Sequence, residues 1–200
     1  MVYSLLEYPW VYRLAQVTLA PGTAIFLERL LADLADLDDH RPWLDVGCGP
    51  DPYVSAPAGG LVAIDLNPRY VHTLHDNACL GVVGDASSLP FPDDHFGVVW
   101  TFGLLHHLPD AMAESSLLEM LRVSRPDGWI HVIDAVLPET WWRRPQAHAI
   151  RRLDRGRHMR TERALTTLLP NAANWRIERR TYTYNGLELL ICTGQCLNPL

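Results

Sequence analysis

The sequence predicts an α/β protein with a Rossmann-like, doubly wound sheet. The sheet is mostly parallel, with helices on both faces and an antiparallel hairpin at the C-terminal end. Short apolar segments alternate with segments of helical spacing over 43–136, the pattern of parallel strands joined by crossover helices. A glycine turn at 47–49 follows the first apolar segment. Residues 174–184 and 187–194 alternate apolar and polar side chains around Asn185-Gly186, a typical hairpin turn.

The first 40 residues are predicted to form two helices that pack on the core or cover a ligand. Residues 3–20 are rich in Leu, Tyr and Trp, and residues 23–37 carry apolar side chains at helical spacing. Tyr12 in the first helix is a candidate contact for a bound substrate, with packing in the core as the alternative.

The core over 42–136 contains five predicted strands, at 43–47, 61–66, 80–83, 96–101 and 129–136. Helices are predicted at 68–76 and 110–123, and Pro68 suits the first turn of its helix. The segment 96–101 is continuously apolar, as expected for a strand that is buried on both faces.

The remainder of the chain completes the predicted organisation. Helices at 141–155 and 161–169 place a helical segment over 137–170, and a hairpin follows over 171–200. Because 200 residues are enough for one full core, we expect a single domain.

Composition excludes several classes of protein. No apolar run approaches the roughly 20 residues of a membrane span, and the N-terminus lacks the pattern of a secretory signal. The four cysteines show no paired framework, which indicates free thiols in a reducing cytoplasm. A net charge of −6 argues against nonspecific nucleic-acid binding, although all 17 basic residues are arginines and many of them fall within 143–163.

Polar residues stand where the predicted strands end. Asp45 precedes the glycine turn, Asp65 and Asp85 end the next two strands, and Thr101-Phe102 ends the fourth. Open parallel sheets bind ligands at the carboxyl ends of their strands. Glycine allows close backbone approach to a ligand, one acid can accept from ribose hydroxyls, and a second can accept from an exocyclic amine. The set predicts a site for an adenosine-containing ligand.

These motifs resemble those of class I S-adenosylmethionine-dependent methyltransferases, most closely the type 11 branch that acts on small molecules. The motifs run in family order as LDVGCGPDP, VAIDLNP, GDASSLPFPDDHFGVVW, LLHHLPD and LRVSRPDGWIHVID. The resemblance implies S-adenosylmethionine as the methyl donor and S-adenosylhomocysteine as the product. It makes 42–136 the donor-binding core and 137–170 the acceptor or lid segment.

The resemblance also implies a role for each strand end. The glycine turn would hold the methionine portion of the donor. Asp65 would accept the ribose hydroxyls with Leu66 beside the adenine, Asp85 would accept from the adenine amine, and Thr101 and Phe102 would close the pocket near the sulfur. The implied donor-binding residues are Asp45, Gly47, Cys48, Gly49, Asp65, Leu66, Asp85, Ala86, Thr101 and Phe102.

A dinucleotide oxidoreductase is the main competing interpretation of the turn. It usually needs a third glycine, in G-x-G-x-x-G, whereas this turn reads Gly-Cys-Gly-Pro-Asp-Pro. The methyltransferase pattern also has a third glycine, which is Asp51 here, so we expect the helix after the turn to be shortened. A non-catalytic binding or scaffold protein is an alternative function. A nucleic-acid methyltransferase is less favoured because of the negative net charge.

The resemblance implies methyl transfer to a small-molecule, glycan or lipid-intermediate acceptor, mainly by proximity and in-line alignment. His106 and His107 are candidate general bases, and the alternative is a structural turn in which one histidine is hydrogen-bonded within the fold. Arginine forks bind carboxylate or phosphate, so an anionic acceptor is one interpretation of the arginine-rich segment and a solvated helix face is the other. The candidate contacts there are Arg151, Arg152, Arg155 and Arg160. No histidine pair has metal-ligand spacing, so we predict no metal.

Overall fold

The computed structural model describes residues 8, 11, 14, 18, 20, 22, 23, 25–27, 29, 30, 41–50, 58–74, 79–140, 142–153, 156–183 and 186–197. The strands are β1 Trp43–Val46, β2 Leu61–Asp65, β3 Leu80–Val83, β4 Phe96–Phe102, β5 Ser124–Ala135, β6 Ala173–Thr181 and β7 Glu188–Cys196. The helices with defined bounds are α1 Pro68–Thr73, α2 Asp110–Val123, α3 Pro145–Leu153 and α4 Glu162–Thr167, and a 3₁₀ turn spans Leu105–His107.

The seven strands form one sheet in the order β3-β2-β1-β4-β5-β7-β6. The pairs within β3-β2-β1-β4-β5 are parallel, and β7 is antiparallel to both β5 and β6. The predicted mostly parallel sheet with an antiparallel C-terminal hairpin is confirmed. The strand order reverses between β1 and β4, which is where open sheets of this kind bind ligands.

Helices cover both faces of the sheet, as predicted. Val99 and Trp100 are neighbours on β4, so their side chains lie on opposite faces. Val99 belongs to the core cluster that contains Leu117 and Met120 of α2, whereas Trp100 packs in a cluster with Leu27 from the N-terminal helical residues.

Local signals explain several element boundaries. β1 is buried at all four positions and β4 at six of seven, so neither strand alternates. The side chain of Asn67 caps α1 by accepting from Arg69 N–H, and Pro68 occupies the first helical position. Thr161 caps α4 in the same way, by accepting from the backbone N–H of Ala164.

Some predicted bounds were wrong. β5 begins at Ser124, five residues before the predicted start, because 124–128 pair irregularly with β4 instead of forming a separate turn. The register shifts between Phe96 and Val98, and Asp127 takes a φ of 63°. The predicted N-terminal helices are described only in part, with helical backbone at 11, 14, 18, 23, 25–27, 29 and 30. Residues 51–57, including Asp51, lie outside the described residues.

Among the helices that the structure describes, none combines the length and apolarity needed to cross a membrane.

Candidate functional site

The glycine turn leaves β1 at the carboxyl edge of the sheet. Gly47 and Gly49 take φ values of 72° and 65°, a left-handed conformation that favours glycine. The turn is tied to β2 because Ile64 O accepts hydrogen bonds from the N–H groups of Gly47 and Cys48, at 2.8 and 3.2 Å. A Cβ on Gly49 would meet no atom of the described residues within 4 Å, so the backbone there faces open space within this part of the chain.

Asp65 connects this turn to the end of β2. Its two carboxylate oxygens accept from Gly49 N–H at 3.0 Å and from Asn67 N–H at 2.8 Å. Leu66 beside it is 72% exposed, and Val83, the register partner of Asp65 on β3, is 53% exposed. An apolar surface therefore lies beside a carboxylate, which suits a ligand that has both a sugar and a flat ring.

Asp45 is a buried carboxylate behind the turn. It is 2% exposed, and its Oδ2 atom has no hydrogen-bond partner among the described residues. Burial raises the pKa of Asp45 well above its usual range, and the nearby Asp65 carboxylate raises it further. Because an uncompensated buried charge is costly, the site suits a ligand that brings positive charge.

Cys48 lies inside the turn, and burial raises the pKa of its thiol far above the usual range. The side chain is 5% exposed and packs with Ala63 and Leu74. A thiol in this environment fills space and is a poor nucleophile.

Asp85 follows β3 and is exposed. Its Oδ1 atom accepts from both the backbone N–H and the hydroxyl of Ser87, each at 2.8 Å. These two bonds hold the pKa of Asp85 below its usual value, so it stays an acceptor at neutral pH. Ala86 next to it is half-buried. An ionised acceptor at this strand end matches the predicted contact with an amine.

Thr101 and Phe102 end β4. Thr101 is fully buried, and its hydroxyl donates to Val46 O at 2.7 Å, which joins the ends of β4 and β1. Phe102 is half-buried and packs on the cluster that contains Trp100 and Ile133. The Thr101 hydroxyl therefore serves the sheet itself, and Phe102 supplies an apolar side chain at the carboxyl edge.

His106 and His107 follow β4 in the 3₁₀ turn. The side chain of His106 is 8% exposed, and its Nδ1 hydrogen-bonds Asp134 Oδ1 at 2.5 Å, while its backbone N–H donates to Asp134 Oδ2 at 2.9 Å. His107 is half-buried, and its ring lies against that of His106 with 4.1 Å between the centroids. The two candidate bases are thus adjacent, and the buried one is held by an acid.

Asp134, at the end of β5, was missed by the sequence-based prediction. It is 1% exposed. Burial pushes the pKa of Asp134 upward, but the charge and hydrogen bond of His106 outweigh this and lower the pKa below its usual value. The sequence could have indicated Asp134, because an acid stands at the end of this apolar strand just as Asp45 and Asp65 do in theirs.

Two of the candidate acceptor arginines are buried and bonded to the protein. Arg160 is 7% exposed and donates to the carboxylate of Asp110 and to the carbonyl oxygens of Leu105 and Leu108. Arg151 is 5% exposed and donates to the Tyr182 hydroxyl and to a backbone carbonyl of β7. These contacts give both residues structural roles.

Of the other candidate acceptor contacts, Arg152 is exposed on α3. Arg155 and Tyr12 lie outside the described residues. Within the described part of the chain, no cluster of three His, Cys, Asp or Glu side chains could hold a metal ion.

Comparison with known proteins agrees with this arrangement. A methyltransferase-domain model of the type 11 family matches residues 44–132. An uncharacterized methyltransferase of Synechocystis sp. is 28% identical over 142 residues, which cover 68% of this chain and 67% of that protein. The 27-O-demethylrifamycin SV methyltransferase of Amycolatopsis mediterranei is 30% identical over 60% of this chain, which spans 47% of that enzyme.

The fold has matches among solved structures. A methyltransferase of Thermotoga maritima superposes with a TM-score of 0.73 at 12% identity, covering 98% of this chain and 99% of its own. Together with the acids and glycines at the strand ends, these matches define a class I S-adenosylmethionine-dependent methyltransferase. The matches support a methyltransferase of the type 11 family, whose model matches residues 44–132.

S-adenosylmethionine is therefore the methyl donor, and the described residues fit it. The donor carries an ammonium and a sulfonium group, either of which brings the positive charge that the buried Asp45 carboxylate lacks. Its adenosine part suits the exposed apolar surface of Leu66 and Val83 beside Asp65. Open space beside Gly49 leaves room for close approach to the backbone.

Proposed function

We propose that the protein transfers the methyl group of S-adenosylmethionine to an uncharged small organic molecule bound beyond the carboxyl ends of β4 and β5. The observation that carries this proposal is the unpaired, buried carboxylate of Asp45 behind an open glycine turn. A small acceptor is also supported by the relative from Amycolatopsis mediterranei, whose name specifies a rifamycin.

Each strand end has a proposed contact with the donor. The glycine turn and Asp45 hold the methionine portion, and the pairing of Gly49 N–H with the Asp65 carboxylate sets the spacing between turn and ribose site. Leu66 lies beside the adenine, and the ionised Asp85 accepts from its amine. The complete proposed set is Asp45, Gly47, Cys48, Gly49, Asp65, Leu66, Asp85, Ala86, Thr101 and Phe102.

The arginine contacts favour a neutral acceptor over an anionic one. An anion would need guanidinium donors, and the described hydrogen bonds of Arg160 and of Arg151 Nη2 go to protein oxygens. Arg152 is the described candidate that is exposed to solvent. Most of the rate enhancement then comes from holding acceptor and methyl group in line, with His106 or His107 as the proposed base. Cysteine usage supports a cytoplasmic location.

The donor site can be tested by calorimetry with S-adenosylmethionine and S-adenosylhomocysteine. Gly49→Ala would place a methyl group in the space proposed for the donor, so we expect donor affinity to fall by about tenfold or more, which is about 1.4 kcal/mol. Gly60→Ala is the matched control, because Gly60 also has a positive φ of 90° and a Cβ there would likewise meet no described atom within 4 Å. Gly60 precedes β2, at the opposite edge of the sheet.

Both substitutions carry a similar backbone strain, of about 1–2 kcal/mol, so their melting temperatures should fall together. Gly60→Ala should bind both ligands like the wild type. Absence of heat with either ligand at millimolar concentration in the wild type would overturn the proposed function. Equal binding by wild type and Gly49→Ala would overturn the proposed position of the donor alone.

A further inference from the structure

We propose that Asp134 is a positioning residue that keeps the proton of His106 on Nδ1, so that His106 Nε2 takes the proton of a hydroxyl acceptor during methyl transfer. This inference rests on the proposed function, since it names the residue pair that prepares the acceptor. It adds a partner for one candidate base and separates that base from its neighbour His107.

The carboxylate of Asp134 receives three hydrogen bonds. Oδ1 accepts from His106 Nδ1 and from Ala135 N–H at 2.6 Å, and Oδ2 accepts from His106 N–H at 2.9 Å. Two of these donors are backbone N–H groups, which can only donate. The pKa of Asp134 lies below its usual value, so the group is ionised and acts only as an acceptor. Because both carboxylate oxygens already accept from backbone N–H groups, we assign the hydrogen of the remaining bond to His106 Nδ1.

A neutral imidazole has one N–H and one basic nitrogen. With the hydrogen held on Nδ1, the basic nitrogen of His106 is Nε2. The other tautomer would leave the Asp134 carboxylate, which is 1% exposed, without one of its three donors. An unmet hydrogen bond to a buried charge is costly, so the fold itself selects the tautomer that a general base requires.

The ring is also held in place by packing. It lies between Gly103 and Gly156, and a Cβ on Gly156 would collide with Cδ2 and would lie 3.0 Å from Cγ. A Cβ on Gly103 would lie 3.6 Å from Cε1. The carbonyl of His106 accepts from His158 N–H at 3.0 Å, so the backbone of the turn is fixed as well. Such fixed orientation is what a base in proton transfer requires.

The position of the His106–Asp134 pair in the sheet agrees with the proposed proton transfer. His106 follows β4 and Asp134 closes β5, and β4 is next to β1 in the strand order, so the pair lies at the same carboxyl edge as the glycine turn. Gly103 N–H donates to Ile133 O at 2.9 Å, which joins the ends of β4 and β5 one residue before Asp134.

The proposed step balances without any further reactant. The acceptor's O–H proton moves to His106 Nε2 while an oxygen lone pair forms the new bond to the methyl carbon. The electron pair of the broken carbon–sulfur bond stays on sulfur, giving neutral S-adenosylhomocysteine. His106 becomes an imidazolium, and the Asp134 carboxylate stabilises that charge, as in other histidine–aspartate pairs.

Asp134→Asn tests the tautomer directly. The asparagine amide has one oxygen and one NH₂ group. It therefore cannot accept hydrogen bonds both from His106 N–H and from His106 Nδ1. If its oxygen accepts from His106 N–H, the NH₂ group faces Nδ1, which must then accept, and the proton moves to Nε2. Asp110→Asn is the matched control, because it perturbs the partner of Arg160 on the same turn and leaves Asp134 intact.

The first measurement is ¹⁵N NMR of histidine-labelled protein with S-adenosylhomocysteine, with the signals assigned through His106→Gln. We expect Nδ1–H with an unprotonated Nε2 in the wild type and in Asp110→Asn, and the opposite tautomer in Asp134→Asn. An Nε2–H tautomer at His106 in the wild type would overturn the inference. The wild-type measurement needs no acceptor and no folded variant at position 134.

The second measurement is methyl transfer from labelled donor to a phenol, a hydroquinone and an aliphatic alcohol. Asp134→Asn should lower kcat by about 100-fold or more, the usual contribution of a general base, with KM and donor affinity within about twofold. Its activity toward the phenol and the hydroquinone should recover at high pH, where these two acceptors ionise by themselves. Unchanged kcat with the wild-type pH profile would overturn the inference, whereas loss of donor binding in the wild type would overturn the proposed function.

Discussion

Two buried carboxylates at the carboxyl edge differ in their hydrogen bonding, and the difference separates their roles. Asp134 receives three hydrogen bonds, and its pKa lies below the usual value. Asp45 is equally buried but leaves Oδ2 without a partner, and its pKa lies well above the usual value. The hydrogen bonds of Asp134 are made within the protein, whereas Asp45 is proposed to be completed by the cationic donor.

Among the described glycines, Gly156 is the one whose added Cβ would come closest to a neighbouring atom. A Cβ there would lie 2.9 Å from His106 O and would collide with the His106 ring, which Asp134 prevents from moving aside. We expect Gly156→Ala to lower the free energy of unfolding by about 2 kcal/mol, the range for an overpacked core. Urea unfolding monitored by circular dichroism measures this change.

Gly84→Ala is the control for this prediction. Its Cβ would approach Ile64 Cδ1 to 2.8 Å, but that atom is the end of a flexible side chain and can move. We expect a loss smaller than that of Gly156→Ala. Equal losses would mean that the His106 ring is not held more firmly than an ordinary core side chain.

At the scale of elements, the chain after α3 returns to the sheet through a segment at 156–160, the return segment. Arg160 N–H groups bond to Leu105 O, Leu108 O and Asp110, while its own carbonyl accepts from Leu137 N–H at 2.9 Å. The return segment therefore joins the 3₁₀ turn after β4 to the end of β5. It fixes the turn that carries both candidate bases.

Arg160→Met should destabilise the protein strongly. Two carbonyl oxygens lose charged donors in a site where Arg160 is 7% exposed, so we expect a loss of about 3 kcal/mol. Arg152→Met is the control, since Arg152 is exposed in the same arginine-rich segment and should change stability by no more than about 0.5 kcal/mol. Chemical denaturation would measure the free energy of unfolding of both variants, and an unchanged m-value would show that only stability has changed. Similar effects for the two variants would contradict a structural role for Arg160.

The elements that could be predicted from sequence are those with local causes. The cap at Asn67, the buried runs of β1 and β4 and the acids at strand ends are all visible in short windows of sequence. The bond between His106 and Asp134 joins residues 28 apart, and that between Arg160 and Asp110 joins residues 50 apart. No local pattern encodes such pairs, because they depend on which strands lie side by side.

The same limit explains the arginine-rich segment. From sequence, its guanidinium groups were suited to an anionic acceptor or to solvent, and neither interpretation anticipated that two of them are buried. Arg151 and Arg160 each donate to backbone carbonyls of segments far away in the chain. The structural use of these arginines therefore depends on tertiary contacts that sequence spacing does not show.

At the scale of the whole molecule, one buried histidine should shape the dependence of stability on pH. His131 lies on β5, fully buried, and burial lowers its pKa from 6.5 to about 4. Its Nδ1 lies 3.2 Å from the hydroxyl of Thr193 on β7, and its Nε2 has no hydrogen-bond partner in the described part of the chain. The neutral ring is thus tolerated inside the sheet, and the charged ring is not.

Because the folded pKa of His131 is depressed, the unfolded chain binds its proton first as the pH falls. Stability from this residue is therefore complete above about pH 6.5 and is lost between about pH 6.5 and 4. At about 1.4 kcal/mol per pH unit for one proton, the loss across that window is about 3 kcal/mol. The raised pKa of Asp45 acts in the opposite direction, since its stabilising protonated form is lost as the pH rises.

His131→Gln isolates this contribution, because glutamine does not titrate. We expect its unfolding free energy, measured in urea at several pH values from about 4.5 to 7, to fall less steeply with acid than that of the wild type, by about 1 kcal/mol per pH unit. Thr193→Val removes the partner hydroxyl but keeps the titrating ring, so it should be less stable at every pH with the wild-type slope. A His131→Gln slope equal to that of the wild type would show that the folded protein accepts a charged ring at this position.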